Sequence, residues 1–557
     1  MRESNGNSLD NPLIVQSDRT LLLEVHNPRY DAARAVISAF AELEKSPEHI
    51  HTYRLTPLSL WNASSAGLSA AQITGALEQF AKYPVPQNVL ADIQELAGRW
   101  GRLRLIRNDD GLVLQSRYAE LLLELSRQRA VSPYMGDQLS PNAYAVSARQ
   151  RGALKQALLT VGWPVEDLAG YMEGAPLEIS LRDEQFSVRD YQKDAAEAFH
   201  LNGSARGGSG VIVLPCGAGK TIVGLIVMSR LNQSTLILTT SRTSIAQWRR
   251  ELLEKTTLDE SAIAEYTGEI KNLGPVTLTT YQMLTYRPDK SEDFPHLQLF
   301  DQQPWGLIIY DEVHLLPAPV FRITAEVQAR RRLGLTATLI REDGREGDVF
   351  SLIGPKKYDV PWRDLEGRGW IAEATCTEVR CAMPREIRMG YATAPARQKF
   401  RIAAENAAKR DLLRRLLFRH AHAPTLIIGQ YIEQLKQIAE ELETPLITGK
   451  TPPWEREQLY SLFRAGELKT IVLSKVGNFA LDLPDAEVLI QVSGTFGSRQ
   501  EEAQRLGRVL RPKSQGRQAH FYTLVSRETE EQQFAHHRQL FLTEQGYTYR
   551  IADESDY

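Results

Sequence analysis

From residue 185 onward, apolar runs alternate with helical stretches. The runs are 210–215 (GVIVLP), 235–240 (TLILTT), 276–280 (VTLTT), 305–311 (WGLIIYD) and 332–338 (RLGLTAT). Strands this continuously apolar, joined by helical crossovers, belong to a parallel sheet buried on both faces. A second set follows at 425–429, 469–473, 487–492 and 519–525, with helices predicted over 432–442, 453–465 and 499–510. The expected fold class is α/β: two tandem parallel-sheet lobes, a duplication that no short repeat reveals.

The N-terminal part patterns differently. Residues 12–25 read as short extended segments. Ala33, Val36, Ile37, Phe40 and Leu43 recur at helical spacing over 30–43. Short helices are predicted at 58–63, 69–80 and 89–97, with Ser69 placed as an N-cap. The alternating runs 102–107 and 112–116 flank an Asp-Gly turn, a hairpin signal. Three helices and a hairpin are the order of a winged helix, and equally of a small α+β module that packs on its neighbour. A helix over 117–130, a linker over 133–141 and a small α/β module over 142–183, with its helix at 148–160, complete this part. The expected division is 1–130, 131–184, a first lobe 185–370, an interlobe linker with a thumb-like segment 371–415, and a second lobe 416–557.

Composition narrows the picture without redirecting it. At 557 residues, 42% hydrophobic and 24% charged, the chain can build several cores. A net charge of −3 gives no global basic signature, so any nucleic-acid contact must use local patches. No apolar run approaches the roughly 20 residues of a membrane span, and the start lacks the order of a signal peptide. Three cysteines without C-x-x-C spacing argue against a disulfide framework or a zinc site and fit a reducing, cytoplasmic setting.

The candidate chemistry sits at strand ends. In 214–221, LPCGAGKT, a strand passes through small residues into a helix. Gly217 and Gly219 would present backbone N–H groups to an anion, and Leu214, Pro215, Cys216 and Ala218 would complete the nucleotide-binding loop. Lys220 would reach the β/γ-phosphates, and the Thr221 hydroxyl would ligate Mg²⁺. The general phosphate-loop pattern asks for glycine where Leu214 stands. Asp311-Glu312 follows a second apolar strand, where Asp311 would hold the metal and Glu312 would polarise the attacking water. Adjacent carboxylates at a strand exit are otherwise simply solvated. Thr336 and Thr338, ending a third strand, could bond to the segment running from Asp311 to His314. In 504–511, QRLGRVLR, Arg505, Arg508 and Arg511 are spaced to share a helix face. From a facing lobe such arginines act as fingers on a γ-phosphate.

This ordered set resembles a superfamily 2 helicase, and more narrowly the XPB family of DNA helicases. The resemblance rests on 189–192 (RDYQ), 214–221, 311–314 (DEVH), 336–338 (TAT), 341–343 (RED), 474–484 (SKVGNFALDLP) and 504–511. LPCGAGKT is that family's form of the phosphate loop, which accounts for Leu214. The resemblance covers about 185–530, and the N-terminal part, with a damage-recognition-like module at 142–183, matches more loosely. It implies RecA-like lobes and ATP with Mg²⁺ as cofactors. It implies that Arg189 and Gln192 contact the adenine, and that Arg508 and Arg511, near Gln504, are the fingers. Gly477, Asn478 and Asp482 would link nucleotide to DNA, and Arg341, Glu342 and Asp343 would act as a wedge or interlobe contact. His314, Thr336 and Thr338 would relay nucleotide state, and the basic stretch 384–415, which includes Lys409 and Arg414, would be the thumb-like segment. The implied activity is 3′→5′ unwinding with DNA as partner, in repair. A double-stranded DNA translocase serving a nuclease or transcription complex is the alternative, and a scaffold without activity is a third, against which the intact Lys220, Asp311 and Glu312 argue.

Overall fold

The structure, a computed structural model, describes residues 8–45, 49–109, 111–182, 186–204, 206–215, 217–289, 294–300, 302–317, 319–321, 324, 330–337, 346–360, 365, 374–474, 486–494, 519–544, 547 and 549–557. It divides into two compact units, Met1–Leu214 with Gly219–Asp359, and Pro215–Ala218 with Val360–Tyr557. Among the described residues no helix is long and apolar enough to cross a membrane.

The first unit opens with an antiparallel sheet whose strands lie in the order Leu13–Val15, Thr20–Glu24, Ile50–Arg54, Glu42–Lys45. The stretch 30–43 divides between the helix Tyr30–Ile37 and the last of these strands. Helices Pro57–Ser65, Ala70–Phe80 and Gln87–Ala97 close one core with the sheet through residues such as Leu23, Tyr53, Leu60, Leu77 and Ile93. Two of them start in capping boxes, with Thr56 Oγ1 accepting from Ser59 N (3.0 Å) and Ser69 Oγ from Gln72 N (3.2 Å).

The hairpin Leu103–Asn108 with Gly111–Ser116 forms as expected, but it is not a wing on those three helices. It joins a five-stranded sheet with Gln138–Ser140, Ala143–Val146 and Val165–Asp167. Its apolar face packs Leu103, Leu105 and Leu114 against Leu154 and Leu158 of helix Arg151–Thr160. The border between the two cores therefore falls between Ala97 and Leu103, not at residue 130. After Tyr171 the chain becomes a strap. Ala175, Leu177 and Arg182 donate backbone hydrogen bonds to Pro304, Asn232 and Lys255, each at 2.9 Å.

The third sheet is all parallel, in the order Ile263–Tyr266, Val276–Thr280, Thr235–Thr239, Leu307–Asp311, Arg331–Thr336, Ser209–Val213, Lys356–Asp359. The second unit holds another parallel sheet, in the order Leu446–Ile447, Thr470–Leu473, Thr425–Ile428, Val488–Gln491, Ala519–Ser526, Ala374–Cys381, Tyr549–Asp553. Numbered along the chain within each sheet, both orders read 3-4-2-5-6-1-7. The two lobes share one topology, that of tandem RecA-like domains.

The stretch expected as an interlobe linker lies within this second lobe. Ala374–Cys381 is its first strand, and helices Arg385–Thr393, Ala396–Ala404 and Ala408–Arg419 cross over to its second. Two cations of the basic segment are already engaged. Arg414 pairs with Asp411 (2.9 Å) and with Glu441. Lys409, 1% exposed, donates to both carboxylate oxygens of the fully buried Glu531 (2.7 and 2.8 Å) and to the Val492 carbonyl (3.1 Å). Glu531 also accepts from Ser526 N at 2.9 Å. The pair ties helix Ala408–Arg419 to helix Glu530–Glu544 and to the chain just after strand Val488–Gln491. Lys409→Met, which leaves Glu531 charged and buried, should destabilise the second unit by about 3–5 kcal/mol. Urea unfolding of the full chain should show this loss, and Lys409→Met with Glu531→Leu should recover most of it.

Candidate functional site

The site grows from register. Ser209–Val213 pairs in parallel with Arg331–Thr336 so that Val213 faces Thr336, and Leu307–Asp311 pairs on the other side so that Asp311 faces Leu335. The ladder continues one step, with Leu214 N donating to the Thr336 carbonyl at 2.9 Å. Three strand ends thus stop at one level, at the carboxyl edge where parallel sheets bind ligands. From the first of them the chain turns through Gly217 (φ 82°) and Gly219 (φ 81°) into helix Lys220–Leu231. Gly219 is required twice over. Its φ is left-handed, and a Cβ there would overlap the Gln192 side-chain nitrogen.

Gln192 is held for this approach. It is 4% exposed, and its Oε1 accepts from Arg189 N at 3.0 Å, which caps helix Asp190–His200. Arg189 Nη1 donates to the Tyr191 hydroxyl at 3.2 Å. Gln192 is thereby placed beside Gly219 of the phosphate loop, with Arg189 bonded to it.

Lys220 Nζ meets Glu312 Oε1 at 3.1 Å. Glu312 has φ 51°, an uncommon conformation for a side-chain-bearing residue and one that aims its carboxylate back at the loop. Its other oxygen lies 3.6 Å from His314 Nδ1, which in turn meets Thr336 Oγ1 at 2.6 Å. Burial pushes the Glu312 carboxyl up, but the Lys220 ammonium and then His314 outweigh it and hold the group below its ordinary range. Neighbouring Asp311 goes the other way. Burial first, and the Glu312 charge second, raise it to about 6.

The contact partners of Asp311 were not legible in the sequence. Trp248 Nε1 donates to Asp311 Oδ2 at 3.0 Å, and the Tyr281 hydroxyl donates to the Asp311 carbonyl at 2.9 Å. Trp248, 1% exposed on helix Arg242–Lys255, also lies so close to helix Lys220–Leu231 that a Cβ on Gly224 would sit 2.6 Å from its ring. A glycine inside so apolar a helix is the one signal that could have pointed to such an approach.

The remaining expected positions lie outside the described residues: Cys216, Thr338, Arg341, Glu342, Asp343, Gly477, Asn478, Asp482, Gln504, Arg505, Arg508 and Arg511. The donor set that is described suits a nucleoside triphosphate with Mg²⁺. A glycine cradle, closed to any Cβ at Gly219, and Lys220 suit phosphate oxygens, while Thr221 and the Asp311 carboxylate offer hard oxygen ligands.

Comparison with known proteins bears on the whole chain. A family model described as ERCC3/RAD25/XPB C-terminal helicase matches residues 365–556. Models for the helicase conserved C-terminal domain and for the type III restriction enzyme res subunit match residues 13–140 and 185–341. A curated relative from Kineococcus radiotolerans, named DNA 3′-5′ helicase XPB, is 55% identical over 98% of this chain and 97% of its own length. The Saccharomyces cerevisiae general transcription and DNA repair factor IIH helicase/translocase subunit XPB/SSL2 is 31% identical over 97% of this chain and 71% of its own. Among solved structures, the ATP-dependent type ISP restriction-modification enzyme LlaBIII bound to DNA matches in fold, with TM-score 0.50 and 12% identity over 66% of this chain and 31% of that one.

Gly219→Ala should remove measurable nucleotide binding in equilibrium titration. Trp248→Phe keeps the ring but deletes the donor to Asp311, and should cut metal affinity or nucleotide turnover by about 10-fold, read in an Mg²⁺ titration of the ATPase rate.

Proposed function

We propose that this chain, which belongs to the XPB family of helicases, is an ATP-dependent DNA helicase that unwinds in the 3′→5′ direction. The observation that carries the reading is the Lys220–Glu312 pair at the mouth of the glycine cradle, 3.1 Å apart and largely buried. A buried lysine held on a carboxylate at that place is a phosphate ligand in waiting. Near full-length likeness to a relative named DNA 3′-5′ helicase XPB supports the substrate and the polarity.

Bound ATP with Mg²⁺ supplies the phosphoanhydride bond whose cleavage drives the cycle. The chain's own residues divide the work around it. Lys220 would exchange Glu312 for phosphate oxygens, and Thr221 and Asp311 would hold the metal. Glu312, already kept ionised, takes a proton from the attacking water. Arg189 and Gln192 hold the adenine beside the loop. The His314–Thr336 hydrogen bond joins the Glu312 turn to the end of the neighbouring strand, so a change at the carboxylate is felt at the segment leading to Thr338 and to Arg341, Glu342 and Asp343. By resemblance, Arg508 and Arg511 would come from the second lobe as fingers, and Gly477, Asn478, Asp482 and Gln504 would couple closure to a DNA strand held by its backbone. Repair is the setting that the resemblance implies, with a repair factor or nuclease as the expected partner class and the nucleoid-bearing cytoplasm as the place.

A second reading is a double-stranded DNA translocase that hydrolyses ATP without separating strands. The printed name of the S. cerevisiae relative, helicase/translocase subunit, favours keeping it. Strand displacement on 3′-tailed, 5′-tailed and blunt duplexes decides between them. The helicase reading expects displacement on the 3′-tailed substrate alone, whereas DNA-stimulated ATPase activity with no displacement assigns the motor. In either case Lys220→Ala should abolish stimulated ATPase activity. Glu312→Gln should still bind ATP but turn over at least about 100-fold more slowly, as single-turnover hydrolysis would show. DNA affinity should fall steeply between about 50 and about 200 mM salt, as phosphate contacts require.

A further inference from the structure

Three parts of the first unit meet around a cavity of about 350 Å³ that the nucleotide site does not use. The turn after helix Gln87–Ala97 brings Trp100 and Gly101, and the five-stranded sheet brings Arg104 and Glu166. The parallel lobe brings Ser209, Phe350 and Lys357. Other contacts bind these parts together nearby. Asn62 Oδ1 accepts from Lys356 N, and Gln156 Nε2 donates to Asp348 Oδ1, each at 2.9 Å. The volume falls within the range of sites for small ligands.

Its wall carries more cations than anions. Glu166, with a side chain 8% exposed, accepts from Arg104 Nε (3.0 Å) and Arg206 Nε (2.9 Å). Asp167 accepts from Arg151 Nη2 (2.7 Å) and Lys155 Nζ (3.1 Å). Arg151 lies behind the wall, and Lys357 Nζ adds a fourth cation to the wall itself, its acceptor among the described residues the neutral Arg206 carbonyl, at 2.9 Å. Each carboxylate is thus already shared by two cations, and Lys357 is surplus. Burial, and then the Arg206 charge, push the Lys357 ammonium down to about 8, the response of a cation placed beside another cation in a poorly hydrated site. Opposite this charge stands an aromatic corner, Trp100 against Phe350 edge to face, with centroids 5.8 Å apart and planes at 71°.

We propose that this cavity is a binding site for a small phosphorylated ligand, its phosphate taken by Arg206, Lys357 and Arg104 and its ring lying against Trp100 and Phe350. A phosphate dianion offsets the surplus charge and gives Lys357 a charged acceptor, and the aromatic corner suits the flat base of a nucleoside monophosphate. The site lies at the opposite end of the phosphate-loop strand from the glycine cradle. Ser209, on its wall, is the first residue of the strand that ends at Val213.

The test is calorimetric titration of the full chain carrying Lys220→Ala, which silences the first nucleotide site. AMP and inorganic pyrophosphate are titrated separately, without Mg²⁺. Saturable binding of at least one probe is expected, weakened about tenfold or more by Arg206→Gln with Lys357→Gln and unchanged by Arg414→Gln, an exposed control in the second unit. Arg206→Glu alone, on a side chain 65% exposed, repeats the test without entering the core. AMP binding tighter than pyrophosphate assigns the ligand to nucleotides, and equal binding assigns it to the phosphate group alone. No saturable binding of either probe, or binding that survives both the double variant and Arg206→Glu, overturns the proposal.

Discussion

The hydrogen-bond register of three adjacent parallel strands decides where this protein can do chemistry. Because Val213 faces Thr336 and Asp311 faces Leu335, the phosphate loop, the carboxylate pair and the Thr336 hydroxyl emerge side by side. A slip of one residue in either pairing would turn alternate side chains to the opposite face. Lys220, Glu312, His314 and Thr336 would then no longer form a continuous polar chain. Strands buried on both faces, such as Leu307–Asp311, would tolerate a slip as far as burial goes. Specific contacts beyond the sheet, Trp248 and Tyr281 on Asp311 among them, hold the register in place.

Much of this was legible because buried parallel strands are written as unbroken apolar runs, and because the residues at their ends are chemically conspicuous. The strands that escaped notice are the short or partly polar ones. Ile263–Tyr266, Lys356–Asp359, Leu446–Ile447 and Tyr549–Asp553 sit at sheet edges, where one side faces water and no apolar run is needed. Ala374–Cys381 is internal yet carries Glu378, 2% exposed, whose carboxylate accepts from Arg380 (2.7 Å) and from the hydroxyl of distant Tyr549 (2.8 Å). A charge satisfied by a partner so far along the chain reads as surface. The same reason misplaced Lys409, which looked like a basic face and is a buried counter-ion. The hairpin was recognised from its own residues, but which core it covers depends on helix Arg151–Thr160, and no local pattern encodes that choice.

The two sheets show how one topology carries two different duties. In the first, the turn after the initial strand is built from Gly217 and Gly219 and stays open to an anion. In the second, the equivalent strand ends at Cys381 and runs through Ala382, Met383 and Pro384 into helix Arg385–Thr393, and Asn406 fills the neighbourhood by donating to the Ala382 carbonyl (3.0 Å) and Ser526 Oγ (3.1 Å). The nucleotide cradle of one lobe is replaced by internal hydrogen bonds in the other. Charge serves stability at Lys409–Glu531 and the proposed chemistry at Lys220–Glu312.

The indole of Trp248 has one more consequence. It is shielded from water, and its only polar atom is bonded to the carboxylate expected to receive the metal. Any ligand that draws electron density from Asp311 alters the polarity around that ring. One of the chain's eight tryptophans, Trp248 would therefore contribute a native optical signal beside the proposed nucleotide site when a metal arrives or departs, without a dye or a label.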